Sequence, residues 1–587
     1  MMFDRSRKDF EMKIIYRILL LTASTGLSAA LSAQNLDPTV VVSRDYEGKL
    51  MEVHKPKLEM AVPDSVLRFD LEFDYSVSDS PYKGAYDFSP YLLDMRPSPA
   101  VRERNRLYVN AGAGYGLHPQ LDLLWSPILK GNSFRINAYA RHRSYFGEYW
   151  DIRPEISDGV LTAARTDQSH KGQDLKSVAG INGKLDWKTG ALRFDLGYYG
   201  LYQQDEDVLN LRRSFNALDA RFGIGSKNRA DAAFGYDLEA SYRYGNDALS
   251  EADVPEASLS ENLLDVRAAF FFGLGKGGRV ALDADYDMVR YSGWLETSAS
   301  CFEIAPRYLK TTSLWDICLG LSFAKVLLPQ GEVLMYGNRI QTVYPDVKVG
   351  FKGIPGLYMY LAAEGGPVMN TYSSLLESDR RFTFLYARTD AAFTDVTDEK
   401  ISAVFGLDGR ITTRFSYSLK GGYAEYSAAP LSSLLVESDR NIFVPAISYA
   451  SFGKAFAELD FRMRAERFDM DGAVEYGHYI AQDETPVFHP AALTGDFSFR
   501  YNWMKRIYAG VNCGFATARK GSVLSGDVIV PSEIPGYADL GVELEYFVNK
   551  KTSVWAKGGN LLGMTIQRSI LYAEKGPYFT LGFSLNL

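Results

Sequence analysis

The acidic triplet Asp283-x-Asp285-x-Asp287 is the densest set of candidate ligands in this chain. Alternating aspartates also occupy positions 1, 3 and 5 of a calcium loop. Such a loop needs a glycine at position 6 and a bidentate acid at 12, and here Met288 follows directly. On a strand the three carboxylates would share one face, about 7 Å apart. If Phe272 stands opposite Val280 across the preceding turn, Arg267 stands opposite Asp285, and the better expectation is a cross-strand ion pair. The histidines, His54, His118, His142, His170, His478 and His489, have no nucleophile or metal partner at motif spacing. His142 and Ser144 share a face at i and i+2, but no acid completes a triad. Cys301, Cys318 and Cys513 are odd in number and lack metal-ligand spacing. The residues point to no enzyme, no metal site and no cofactor.

Further charges fall into stripes of both signs. Arg135, Arg141 and Arg143 recur on alternate positions, as do Asp469, Asp471 and Glu475. Lining a water-filled interior, such stripes would interlock rather than select strongly for one charge, although interior charges can tune selectivity. A net charge of -8 argues against a nucleic-acid partner.

The elements carrying these stripes have a period of two. Phe134, Ile136, Ala138 and Ala140 alternate with polar residues, as do Val280 to Met288 and Leu540 to Tyr546. The segments are long. Soluble strands average about five or six residues, whereas a tilted membrane-spanning strand needs about nine to eleven. No blade-like repeat accompanies them. The pattern predicts an all-β fold: a transmembrane antiparallel up-and-down β-barrel of about 22 strands, within a range of 18 to 22, with apolar residues toward lipid and charges toward the lumen. Short turns are expected at 188–190, 275–278, 353–356, 412–414, 465–467, 504–506 and 549–551. Longer connections are expected at 147–173, 246–259, 329–340, 371–399, 429–441, 521–533 and 567–575, which places them outside the cell and the turns in the periplasm. With 38 Tyr and 34 Phe, the chain can supply aromatic belts at both membrane interfaces.

Residues 1–33 read as an export signal: Lys13 and Arg17 precede an apolar run from Ile18, and Leu31-Ser32-Ala33 offers a cleavage site. Residues 34–105 then form a periplasmic extension or mini-plug, and 106–587 the barrel. The expected location is the outer membrane.

The end of the chain carries a family resemblance. Trp555-Ala556-Lys557-Gly558-Gly559-Asn560-Leu561-Leu562, followed by Gly576-Pro577-Tyr578-Phe579-Thr580-Leu581-Gly582, resembles the last two strands of TonB-dependent receptors, and the overall style resembles proteins of the Bacteroidota. The resemblance implies a 22-stranded barrel for transport or gated passage of a solute. It also implies an N-terminal plug, whereas residues 34–105 are roughly half the length such a plug needs. A mini-plug from 63–105, inward-folded loops (chiefly 371–399) or a partner protein could fill the lumen instead. The alternative function is a structural or assembly subunit of an outer-membrane complex with a sealed lumen. Thr39, Val40, Val41 and Val42 resemble a TonB box, which pairs with a periplasmic partner by strand addition. Other expected partners are outer-membrane lipid and, during biogenesis, the barrel-assembly machinery. Ser373-Ser374-Leu375-Leu376-Glu377-Ser378-Asp379-Arg380 nearly recurs at 432–440, in successive outer connections.

Overall fold

The computed structural model describes residues 106–587 apart from 116, 128–132, 207–209, 228–232, 252–255, 276, 328–341, 387–395, 438–441 and 526–527. The export signal, the extension at 34–105 and the Thr39–Val42 segment lie outside the described residues.

Alternating residues place their side chains on opposite faces of a strand, so long runs of period two build a wall with one greasy and one wet side. The strands are β1 (Leu107–Gly114), β2 (Gln120–Trp125), β3 (Phe134–Ser157), β4 (Val160–Asp186), β5 (Gly190–Asp205), β6 (Arg212–Ser226), β7 (Phe234–Ser250) and β8 (Ala257–Gly275). They continue as β9 (Gly278–Gly293), β10 (Ser298–Thr311), β11 (Trp315–Leu327), β12 (Val343–Ile354), β13 (Leu357–Met369), β14 (Val396–Thr412), β15 (Phe415–Glu437) and β16 (Ile442–Arg464). The last are β17 (Phe468–Ala481), β18 (Leu493–Trp503), β19 (Ile507–Ala516), β20 (Arg519–Ser525), β21 (Val528–Ile534), β22 (Tyr537–Phe547), β23 (Thr552–Gly559) and β24 (Tyr578–Asn586). One short helix, α1 (Tyr372–Ser378), lies between β13 and β14.

Each wall strand pairs antiparallel with its sequence neighbour, and β1 closes the ring against β24, with Val109 opposite Leu585. β19 pairs directly with β22. The β20–β21 hairpin therefore stands outside the wall, which has 22 strands. Closure leaves no wall strand with an unpaired edge, the condition for placing a sheet in lipid.

The outward parity is mostly apolar: Leu282, Leu321, Leu419 and Val511 are exposed at mid-height, and Trp125, Trp315, Trp503 and Tyr546 form a belt beside the short turns. Glycine and aromatic residues interlock along the wall. The Tyr360 ring lies over Gly406 on the inner face and Phe194 over Gly183 on the outer one, where a β-carbon would collide with the ring. Both chain termini of the barrel lie at the short-turn end.

The outer connections differ from the sequence expectation in three places. At 429–441, Ala429 to Glu437 continue β15 and pair with β16. Residues 147–173 are a continuation of β3 and β4 beyond the membrane, turning at Asp158 and Gly159 with positive φ of 54° and 79°. The connection at 521–533 holds most of the β20–β21 hairpin. Around 147–173 the exposed residues, among them Glu148, Arg153 and Glu155, are polar because no lipid covers them, and the membrane-strand pattern does not register them. In the other stretches Gly, Ser, Pro and Asp interrupt the alternation and read as turn residues.

Candidate functional site: a lumen closed at its outer end

The wall places the predicted lumen charges on the inward parity, and neighbouring strands neutralise most of them. Arg141 and Arg143 both hold the buried Asp122, at 3.2 and 2.7 Å, and the Asn110 side-chain amide donates to the same carboxylate. Arg135 lies 3.3 Å from Asp186. Phe272 stands opposite Val280, and Arg267 opposite Asp285 at 3.6 Å, with Asp265 also 3.1 Å from Arg267. Asp283 pairs with Arg307 at 3.0 Å. Asp287 faces Asp265 on one side and Cys301 on the other. Asp471 lies 3.0 Å from Arg462 and 3.1 Å from Arg464, and Asp469 3.6 Å from Arg464. Glu475 accepts from Lys454 at 2.6 Å. Among the described residues no group of three or more His, Cys, Asp or Glu is arranged to hold a metal ion. Burial and Lys575 hold His118, in the β1–β2 connection, down to about 3. His142, on the outer face, lies between the hydroxyls of Ser177 and Ser144 at 2.8 and 3.2 Å.

The lumen is crossed near its outer end by residues 370–386. This segment leaves between β13 and β14 yet packs against β4 to β9; β6 stands seven places round the ring from β13. Thr371 caps α1, its hydroxyl accepting from the Ser374 amide. The helix then buries Tyr372, Ser373, Leu375 and Leu376. Tyr372, Leu375, Leu376, Phe382 and Phe384 form one apolar cluster with Leu201, Phe215, Leu249, Leu259 and Val289 of the wall.

Polar anchors surround that cluster, and six adjacent strands each supply at least one. Asp174 of β4 lies 3.8 Å from Arg380, and Asp205 of β5 pairs with Arg381. Arg213 of β6 is wholly buried and donates to the Arg380 and Phe382 carbonyls and, at 3.1 Å, to Asp247 of β7. The Tyr372 hydroxyl donates to Asp247, and Arg243 of β7 reaches Glu377 at 3.5 Å. Glu261 of β8 accepts from the Ser373 hydroxyl and amide. The Tyr291 hydroxyl of β9 accepts from the Tyr372 amide and donates to Glu261. Burial pushes the Asp379 carboxyl up, against the pull of the Ser569 hydroxyl and the Arg381 amide.

A second layer crosses the mouth between β15 and β4 and is built from backbone. The β15–β16 hairpin bends at a bulge between Tyr426 and Ala429, where Ala428 has φ of 52°. Beyond the bend Ser432 bridges to Phe488, Phe488 to Gly521 of β20, and Ser532 and Glu533 of β21 pair in parallel with Leu161 and Thr162 of β4. β15 and β4 stand eleven places apart, opposite each other on the ring, so this layer spans the mouth. Leu434, Phe488, Val523, Ile534 and Ile570 fill its core. The two layers meet where Ser569 donates to Asp379 and where Arg381 lies 4.7 Å from the Tyr572 ring centre.

The near-repeat takes two conformations. Its first copy forms α1, and Ser432 to Glu437 of the second lie in β15, where β16 supplies a hydrogen-bonding partner. Arg213, Asp247 and Glu261 were not singled out by sequence. The available signal was indirect: Tyr372, Leu375, Phe382 and Phe384 are too apolar for a solvated outer loop.

No protein-family model matches the sequence, and no curated protein matches it. Solved structures do match the fold. The FrpB iron transporter from Neisseria meningitidis (F5-1 variant, apoprotein form) superposes with a TM-score of 0.60 at 8% identity, over 83% of this chain and 82% of that one. The siderophore receptor PirA from Acinetobacter baumannii gives 0.57 at 9%, over 82% and 80%. The copper transporter OprC gives 0.58 at 11%, also over 82% and 80%. At such identities the likeness is one of fold: this chain shares the closed 22-strand barrel.

Proposed function

We propose that this protein is an outer-membrane barrel for transport or gated passage of a solute, in the manner of the TonB-dependent receptors its last two strands resemble. The observation that carries the reading is the segment at 370–386. A wide closed wall has its outer mouth occupied by a connection of its own, held through side chains, which is the construction of a gated pore. The similarity to iron, siderophore and copper carriers supports the same reading. On it, residues 1–33 direct export, residues 34–105 form a periplasmic extension or mini-plug, and Thr39 to Val42 pair with a TonB-like periplasmic partner. The inward charge pairs, Arg135 to Glu475, line the passage and keep it neutral along most of its wall.

A second reading, a sealed structural or assembly subunit, draws on the backbone-bonded layer over the mouth. Planar-bilayer conductance separates the two. Passage through the chain from residue 34 onward, or through a variant from residue 106 onward, supports transport. Silence in both, and again when the segment at 370–386 is released, supports the sealed subunit.

A further inference from the structure

The wall beneath residues 370–386 has the features of a binding site whose occupant is the segment itself. Arg381 enters buried Asp205, and Arg380 approaches Asp174. Phe382 and Phe384 pack against Tyr372, one tilted and one edge-on, each at a ring separation of 5.9 Å, over Leu201, Phe215, Leu249 and Leu259. The footprint is thus an apolar strip edged by carboxylates. With the segment lifted away, Asp174, Asp205, Asp219, Asp247 and Glu261 would face the lumen against Lys176, Arg213 and Arg243, an excess of acid. An apolar strip so edged complements a molecule with an apolar body and a cationic head.

The contacts also differ in kind between the two layers of the closure. The backbone-bonded layer is continuous with β15 at one side and β4 at the other. The 370–386 segment is held to the wall by side chains. Buried ion pairs return little net stability once desolvation is counted, so its hold rests mainly on the apolar cluster. A free molecule offering the same chemistry competes with the segment once its concentration approaches the segment's effective local concentration, about millimolar for a short tether.

We propose that the wall of β4 to β9 is a binding site for solutes that combine an aromatic or aliphatic body with a guanidinium or ammonium group, and that residues 380–384 occupy it in the closed state as an internal mimic. This inference rests on reading the lumen as a passage, and supplies the chemical class of what enters it.

The test uses the chain with Cys301, Cys318 and Cys513 replaced by alanine and a reporter Leu376→Cys, folded into liposomes. The reporter lies on the buried face of the segment, against the wall, so a membrane-impermeant thiol reagent modifies it only when the segment lifts. The probe is the peptide acetyl-Arg-Phe-Thr-Phe-amide, copying 381–384, against acetyl-Glu-Phe-Thr-Phe-amide. The expected result is roughly tenfold faster modification with the arginine peptide at millimolar concentration, no change with the glutamate peptide, and loss of the effect in Asp205→Asn. A second reporter, Leu434→Cys in the other layer, stays slow throughout. Equal effects of both peptides, no effect of either, or parallel acceleration of Leu434→Cys would overturn the proposal. If Leu376→Cys does not fold, by heat-modifiable mobility, Leu375→Cys replaces it. Modification requires no conduction. A silent bilayer with accelerated modification thus removes the passage and keeps the site, and the reverse removes the site alone.

Discussion

Arg213 is the residue whose loss should open the closure most cleanly. Its side chain is wholly buried and joins four partners on two sides of one contact: Asp247 and Gln203 on the wall, and the Arg380 and Phe382 carbonyls on the segment. In Arg213→Met the Asp247 carboxylate stays buried with only the Tyr372 hydroxyl to satisfy it, and both carbonyls lose their donor. Breaking a buried pair by removing one member costs about 3–5 kcal/mol. Because the wall ladder is untouched, nearly all of that falls on the closed arrangement of 370–386. At about 1.4 kcal/mol per factor of ten, the closed-to-open ratio drops by roughly 10²- to 4 × 10³-fold. The assay is the modification rate of Leu376→Cys beside bilayer conductance, with thermal unfolding of the barrel as control. The double variant Arg213→Met/Asp247→Asn sharpens the test. Asparagine keeps an acceptor for Tyr372 and removes the stranded charge, so most of the loss should be recovered. A single variant within threefold of wild type, or a double variant as open as the single, would refute the view that this pair latches the segment.

Other perturbations address the wall and the edges of the closure. Leu321→Arg places a charge in lipid near mid-height and should destabilise the barrel by about 2–4 kcal/mol in liposome unfolding titrations. The lumen-facing Ala473→Arg, between Asp471 and Glu475, should cost under about 1 kcal/mol; equal costs would contradict the assigned parity. Gly406→Ala drives a methyl into the Tyr360 ring and should cost about 1–3 kcal/mol, largely relieved in Gly406→Ala/Tyr360→Ala. The buried Asp379 carboxyl, raised above its ordinary value, binds its proton more tightly when closed. Its contribution is therefore complete below the ordinary carboxylate value and is lost as pH rises through the raised one. Wild type should lose closure relative to Asp379→Asn over that rise; parallel pH profiles of Leu376→Cys modification would remove Asp379 from the account.

The wall was legible in the sequence because its rules are local. Side-chain alternation fixes which face each residue takes, and turn position fixes the register, so Arg267 opposite Asp285 followed from one hairpin. The end of β19 at Ala516 and of β23 at Gly559 fell short of the expected strands, since the amphipathic pattern runs on into the outer connections. The closure was not legible for a different reason. Arg213 meets a carbonyl 169 residues away, and Gln567 donates to one 404 residues away. No periodicity reports such partners. The repeated Ser-Ser-Leu-Leu sequence shows the limit directly: α1 and β15 are chosen by what lies beside each copy, a wall of side chains for one and the backbone of β16 for the other.

An outer closure built from the barrel's own connections changes what the N-terminal segment must do. A 22-stranded ring with nothing inside would leak, and residues 34–105 are short for the task of sealing it alone. With 370–386 and the β15–β20–β21 layer in place, the outer end has its own barrier. If residues 34–105 enter the lumen as proposed, two barriers stand in series and passage opens only when both fail. Deleting 34–105 should therefore leave conductance near that of the longer chain, and Arg213→Met alone should raise it only modestly if the extension enters the lumen. The combination should conduct well beyond the sum of the two. Additive, small effects would mean that the backbone-bonded layer seals the mouth unaided, and the sealed-subunit reading would then be the stronger one. Full conductance on deletion alone would mean that the outer closure admits ions freely and that the N-terminal segment is the only barrier.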